Sequence, residues 1–150
     1  MKKILFVCVH NSGRSQMAEA FFNNYAKGKA QAFSAGTHYA SHIDPTVVEA
    51  MRERGIDISN KRPKMLTLEM LGVADKVISM GCGVEGVCPA TFVPTEDWQL
   101  EDPEGKPIEQ VKVIRDEIET KVKKLIEDIS GNPGMPQPNT AETKQTGGKI

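Results

Sequence analysis

Ile4-Leu5-Phe6-Val7-Cys8-Val9 is an unbroken run of six apolar residues close to the start of the chain. A strand that is hydrophobic on both faces belongs in the middle of a sheet covered on both sides, the setting of a parallel strand in an α/β protein. Preceded by Met1-Lys2-Lys3, the run has a passing likeness to a secretion signal. His10 and Asn11 end it too early, and no small-residue cleavage site follows. The segment reads as a buried first strand, which leaves the chain in the cytoplasm.

The pattern after this strand sets the architecture. His10-Asn11-Ser12-Gly13 is turn-like, and Met17, Phe21 and Tyr25 then recur every four residues, with Ala18 and Phe22 beside them, as one face of a helix. Ala32 to Gly36 reads as a second short strand. Asp44-Pro45 supplies an N-cap and a first-turn proline for a helix that turns Val47, Val48 and Met51 inward and stops at Gly55. A weaker helix is expected over Leu66 to Leu71, a third strand over Lys76 to Met80 and a short fourth at Thr91-Phe92-Val93. Ile108, Val111, Ile114, Ile118, Val122, Leu125 and Ile129 step by three or four through a charged background and mark a long last helix. Glu117 with Lys121 and Glu119 with Lys123 form i,i+4 pairs on its wet face.

Strands alternating with helices predict an α/β fold: a single-domain, doubly wound, four-stranded parallel sheet flanked by helices, with right-handed crossovers. Residues 1–130 form that domain. Residues 131–150 are rich in proline and glycine with almost no apolar mass, and are expected to be a disordered tail. With 150 residues, one domain is the default, and a fold of this size buries about 70% of its unfolded surface.

The charges nearly cancel, 19 basic against 20 acidic for a net charge of -1. A nucleic-acid or membrane surface as main partner would ask for a cationic excess, so neither is expected. Three cysteines are an odd number, which argues against a secreted disulfide framework. In a reducing compartment such thiols tend to be catalytic or metal-binding.

One segment carries the chemistry: Cys8-Val9-His10-Asn11-Ser12-Gly13-Arg14-Ser15, between the first strand and the first helix. Backbone amides of a tight loop entering a helix converge on one point and bind an oxyanion, aided by the positive end of the helix dipole. That field favours the thiolate of Cys8. Val9, His10, Asn11, Ser12, Gly13, Arg14 and Ser15 are therefore the candidate oxyanion-binding residues. The planar guanidinium of Arg14 can hold two oxygens of a tetrahedral anion, and Ser15 can hydrogen-bond the sulfur. The bland alternative is a lone cysteine packed as a small hydrophobe, but its place between strand and helix argues against it.

Cys8-x5-Arg14-Ser15 followed by Gln16-Met17-Ala18-Glu19-Ala20, then Ser34-Ala35-Gly36, Gly55-Ile56-Asp57-Ile58-Ser59 and Asp102-Pro103, resembles the low-molecular-weight protein tyrosine phosphatase superfamily. Within it the chain is most similar to the thioredoxin-coupled arsenate reductases, over residues 2 to 130. A phosphatase needs a nucleophile, an arginine and an acid, and has no use for more thiols. This chain has two, Cys82 and Cys88, among three glycines, Gly81, Gly83 and Gly86, which suit a segment that must travel. Zinc would want four ligands, and His10, His38 and His42 supply no second pair, so no metal is expected. Passive burial of both thiols remains the alternative.

The resemblance implies a relay. Cys8 attacks arsenate while Asp102 protonates the departing hydroxide. Cys82 then attacks Cys8 and arsenite leaves, Cys88 attacks Cys82, and thioredoxin reduces the Cys82–Cys88 disulfide. Glutaredoxin could reduce a similar bond. Asp102 also reads as an ordinary turn residue before Pro103, and Glu101 beside it is a second candidate carboxylate. No aromatic residue follows Pro103, where phosphatases of the superfamily place one; Glu104-Gly105-Lys106 stands there. Gly13 replaces a cysteine that many relatives carry, and His10 a glycine; His10 either tunes the thiolate or is simply solvated. Asn11, Glu19 and Ser34 match residues that bind potassium in some reductases, but Lys64 replaces the carboxylate that completes that site. This counts against potassium dependence and makes the ammonium itself a candidate occupant.

No bound cofactor is expected. The leading expectation is thus a monomeric arsenate reductase that also takes phosphate into its site. The alternatives are a tyrosine phosphatase using Cys8, Arg14 and Asp102, and a non-catalytic redox-responsive module.

Overall fold

The six-residue apolar run lies in the centre of the sheet. In a computed structural model that describes residues 2–37, 40–80 and 95–130, β1 (Lys2–Cys8) is flanked on one side by β2 (Ala30–Gly36) and on the other by β3 (Lys76–Ser79). A fourth strand, β4 (Thr95–Asp97), completes the order β2-β1-β3-β4, and every pairing is parallel. Leu5 pairs with Phe33 on one side and Val77 on the other, so both edges of β1 are hydrogen-bonded. The fourth strand is thus at 95–97; the expected Thr91-Phe92-Val93 lies outside the described residues, as do the tail and Cys82 and Cys88.

Both faces of β1 are covered, which is why it tolerates no polar residue. Leu5 and Val7 pack with Ala35, Leu71, Ala74 and Val77 on the side of α3 (Leu68–Val73). On the opposite face Phe6 meets Phe22 of α1 (Arg14–Ala26) edge-on at 6.2 Å and Trp98 at 5.6 Å. The periodic residues of α1 are buried, except Tyr25, which is half-buried. α2 (Pro45–Glu53) starts as read: Asp44 accepts a hydrogen bond from Thr46 N, and Pro45 occupies the first turn. α3 sits two residues later than the 66–71 expectation, capped by Thr67, whose hydroxyl accepts from Met70 N.

The last helix, α4, spans Ile108–Ser130. The chain divides into two compact units, Met1–Glu119 and Thr120–Ile150. The described part of the second is the C-terminal end of α4, where Lys124 pairs with Asp128 at 3.9 Å. In the first unit the start of α4 carries an unexpected polar seam. Arg115, 3% exposed, donates to the Ala50 carbonyl at 2.9 Å and to Glu53 at 2.6 Å, both on α2. Lys112 takes the other Glu53 oxygen at 2.9 Å. Hydrogen bonds from Arg115 and Lys112 hold the Glu53 carboxyl below its usual value. Burial raises the Asp116 carboxyl, but hydrogen bonds from Arg54 and Arg115 outweigh it and leave the group lowered.

Glu119 corrects the reading of the wet face. Its side chain is only 13% exposed, lies 3.4 Å from Arg54 Nε and accepts the Tyr25 hydroxyl proton at 2.5 Å. Burial, then the hydrogen bond and charge of Glu119, push the Tyr25 phenol up to about 12. Among the described residues no helix is long and apolar enough to cross a membrane.

Candidate active site

Cys8 is the last residue of β1 and is 2% exposed. The loop from Val9 to Gly13 folds back over its sulfur and opens α1. Its carbonyls are taken by neighbouring backbone: Thr37 N donates to Cys8 O at 3.2 Å, Ala40 N to His10 O at 2.9 Å, Asp44 N to Ser12 O at 3.0 Å and Met17 N to Gly13 O at 2.9 Å. With those carbonyls engaged, the loop's N–H groups are left for an anion. Gly13 is the N-cap of α1 and provides no side-chain cap, so the helix keeps its positive end for a ligand.

Two donors reach the sulfur. Asn11 N lies 3.2 Å from Cys8 Sγ, and Ser15 Oγ lies 2.8 Å from it. Ser15 Oγ already accepts from Asn11 Nδ2 at 2.7 Å, which frees its own proton for the sulfur and favours the thiolate. Asn11 can sit at this corner because it adopts a left-handed backbone, φ 55°.

Asn11 is the hub of the site, and only part of that was readable. Fully buried, it also donates to Ser34 Oγ at 3.0 Å and accepts from Gln16 Nε2 at 3.0 Å and Lys64 N at 2.8 Å. Ser34 Oγ in turn donates to Glu19 Oε1 at 2.5 Å. The structure therefore gathers Asn11, Glu19 and Ser34, as their match to potassium-binding residues implied, with Lys64 Nζ 3.7 Å from Glu19 Oε1. Lys61, which sequence reasoning missed, lies 3.6 Å from the other carboxylate oxygen. Gly36 closes this side: a methyl group there would sit 2.6 Å from the Val9 carbonyl oxygen and 3.0 Å from Asn11 N.

Arg14 is 6% exposed and fixed in place. Nη1 donates to the Leu100 carbonyl at 3.0 Å, and Nη2 stands 3.9 Å from Asp102 Oδ2. Asp102 accepts from Glu104 N at 3.0 Å, which orients the carboxylate at the head of its turn. Glu101, the other candidate, instead pairs with Lys106 at 3.1 Å. Pro103 lies over Gly13, where a methyl group would come within 2.9 Å of its ring. Cys8, His10, Ser12, Gly13, Arg14, Asp44, Asp102, Pro103 and Glu104 line one small cavity of about 10 Å³. That is room for about one water molecule. A nucleophile, an anion clamp and a carboxylate facing them across one small cleft can carry out in-line displacement at a tetrahedral oxyanion. A wider depression of about 660 Å³, between α2 and the start of α4, is walled by Glu49, Arg52, Glu53 and Lys112 and holds no nucleophile.

The chain belongs to the low molecular weight phosphotyrosine protein phosphatase family, whose pattern it matches over residues 3–133. Its relatives include a putative arsenate reductase of Halobacterium salinarum, 38% identical over 133 residues, with 85% of this chain and 93% of that protein covered. A glutaredoxin arsenate reductase of Synechocystis is 41% identical over 134 residues, covering 87% of this chain and all of that protein. Among solved structures, a thioredoxin-dependent arsenate reductase of Corynebacterium glutamicum superposes with a TM-score of 0.74 at 40% identity. The match covers 87% of this chain but 62% of that longer one. The resemblance to arsenate reductases within the phosphatase superfamily, first read from motifs, is borne out by these relatives.

Proposed function

We propose that the chain is a cytoplasmic arsenate reductase. The observation that carries this is the small cleft that sets Cys8, Arg14 and Asp102 around one tetrahedral site with no aromatic wall above it. Arsenate is held by Arg14 and the N–H groups of residues 9–15. Cys8 Sγ attacks arsenic, the arsenic–hydroxyl bond breaks, and Asp102 protonates the departing hydroxide to water. Cys82 then attacks the Cys8 sulfur. The electron pair of the sulfur–arsenic bond passes to arsenic, which leaves as arsenite, and a Cys8–Cys82 disulfide forms. Cys88 attacks Cys82 and releases Cys8, and thioredoxin reduces the resulting Cys82–Cys88 bond. The thiol count supports this order: one nucleophile and one transferable pair make three.

Phosphate, with the same shape and charge, occupies the site as a competitor. The protein acts as a monomer with no bound cofactor, metal, nucleic acid or membrane. The ammonium groups of Lys61 and Lys64, rather than potassium, neutralise Glu19. Residues 131–150 form a tail outside the working domain. A tyrosine phosphatase would use the same Cys8, Arg14 and Asp102 but leave two thiols idle, and a redox-responsive module would leave the oxyanion cleft idle.

The test is arsenate-dependent NADPH consumption with thioredoxin and thioredoxin reductase. Turnover in the wild type, abolished in each of Cys8→Ser, Cys82→Ser and Cys88→Ser, is expected. Rapid hydrolysis of p-nitrophenyl phosphate with no arsenate reduction would overturn the reading. Substituting glutaredoxin with glutathione in the same assay identifies the electron donor.

A further inference from the structure

An ion pair spans the mouth of the cleft and takes no part in the steps above. His10 Nε2 stands 3.9 Å from Glu104 Oε1, the two side chains are 43% and 70% exposed, and both residues line the cavity that holds Cys8 and Asp102. The pair joins the anion-binding loop to the turn that carries Asp102. Glu104 directly follows Pro103, whose ring rests on Gly13.

In-line displacement places the leaving oxygen opposite the attacking sulfur, on the side of the acid. When the leaving group is hydroxide, nothing extends further. When it is an ester oxygen, its carbon substituent must pass out between Pro103, His10 and Glu104, because a cavity of about 10 Å³ has no room for it. An ester would therefore have to break the His10–Glu104 pair and lay an apolar group against the Glu104 carboxylate, stripping its water. Free arsenate asks for neither.

We propose that Glu104, held across the mouth by His10, is a specificity-determining residue that admits free tetrahedral oxyanions and rejects phosphate monoesters. This rests on the arsenate reductase reading, and its test separates the two. Glu104→Ala and Glu104→Phe are compared with wild type for p-nitrophenyl phosphate hydrolysis and for thioredoxin-coupled arsenate reduction. With its exposed side chain, Glu104 is a site where substitution leaves the fold intact, which thermal melting checks.

In both variants kcat/KM for the ester is expected to rise about tenfold, mainly through a lower KM, while that for arsenate moves less than about twofold. Because one ion pair carries the effect, His10→Gln should lower the ester KM too, and the Glu104→Ala, His10→Gln double variant should gain no more than Glu104→Ala alone. An ester KM unchanged in all variants, with arsenate still reduced, would overturn the gate and leave the function standing. A wild type that reduces no arsenate would overturn the function instead.

Discussion

Glu19 lies under the catalytic loop with its side chain 9% exposed, and two ammonium groups face it at 3.6 and 3.7 Å. A buried carboxylate left without a counter-charge is costly, so something cationic has to stand there. With Lys61 and Lys64 in place, arsenate kcat/KM is expected to agree within about twofold in sodium and potassium chloride at equal ionic strength. The Lys61→Ala, Lys64→Ala double variant should fall about tenfold in sodium and recover in potassium, because Ser34 and Asn11 pass any shift of Glu19 to the loop. A wild type that itself needs potassium would contradict the assignment. At this scale the sequence was legible where chemistry is local. Cys8, Arg14 and Ser15 fall within eight residues, so their spacing was enough to place them together. Asn11 was legible only in part, since Ser34 and Lys64 N reach it from 23 and 53 residues away. Lys61 was not, because nothing in a lysine's neighbours along the chain shows that a buried carboxylate waits for it.

Between elements, the seam from α2 to the start of α4 is the feature most open to test. Arg115 is nearly sealed from solvent yet paired on α2 with Glu53 and the Ala50 carbonyl. Arg115→Ala strands that carbonyl and removes the packed stem of the side chain, and should cost about 1–3 kcal/mol in urea unfolding. Acid should weaken the same seam. The Glu53 and Asp116 carboxyls are lowered in the fold from usual values of 4.5 and 3.8. A lowered carboxyl contributes stability that is complete above its unfolded value and fades as pH falls through the folded one. Stability is therefore expected to drop below about pH 4.5, and less steeply in Arg115→Ala than in wild type; equal slopes would show that the seam does not set acid stability. The helix itself was evident from its apolar steps. Its inward arginine and the half-buried Glu119 were not, because periodicity assigns every charge to water and cannot see a partner on another helix. The fourth strand was likewise misplaced, as three residues give too short a pattern to locate.

For the whole molecule, the parallel order β2-β1-β3-β4 puts the end of β1 where the chain's path turns from one side of the sheet to the other. Such a switch point leaves a crevice at the carboxyl ends of the strands, and Cys8 occupies it. This was readable in advance because a continuous apolar run can only be a covered, central strand. Residues 131–150 add little apolar mass, so a chain ending at Ser130 is expected to keep its arsenate kcat/KM and to shift in Tm by less than about 2 °C. A larger loss would make the last twenty residues part of the working fold. The close seat of Pro103 on Gly13 bears, finally, on oxidative damage. Hydrogen peroxide is small enough to enter a cleft of this size and would convert the Cys8 thiolate to a sulfenic acid. Where relatives hold a thiol at the place of Gly13, a neighbour can trap that acid as a disulfide. Here the rescue must come from a thiol outside the loop, before a second oxidation makes the loss permanent.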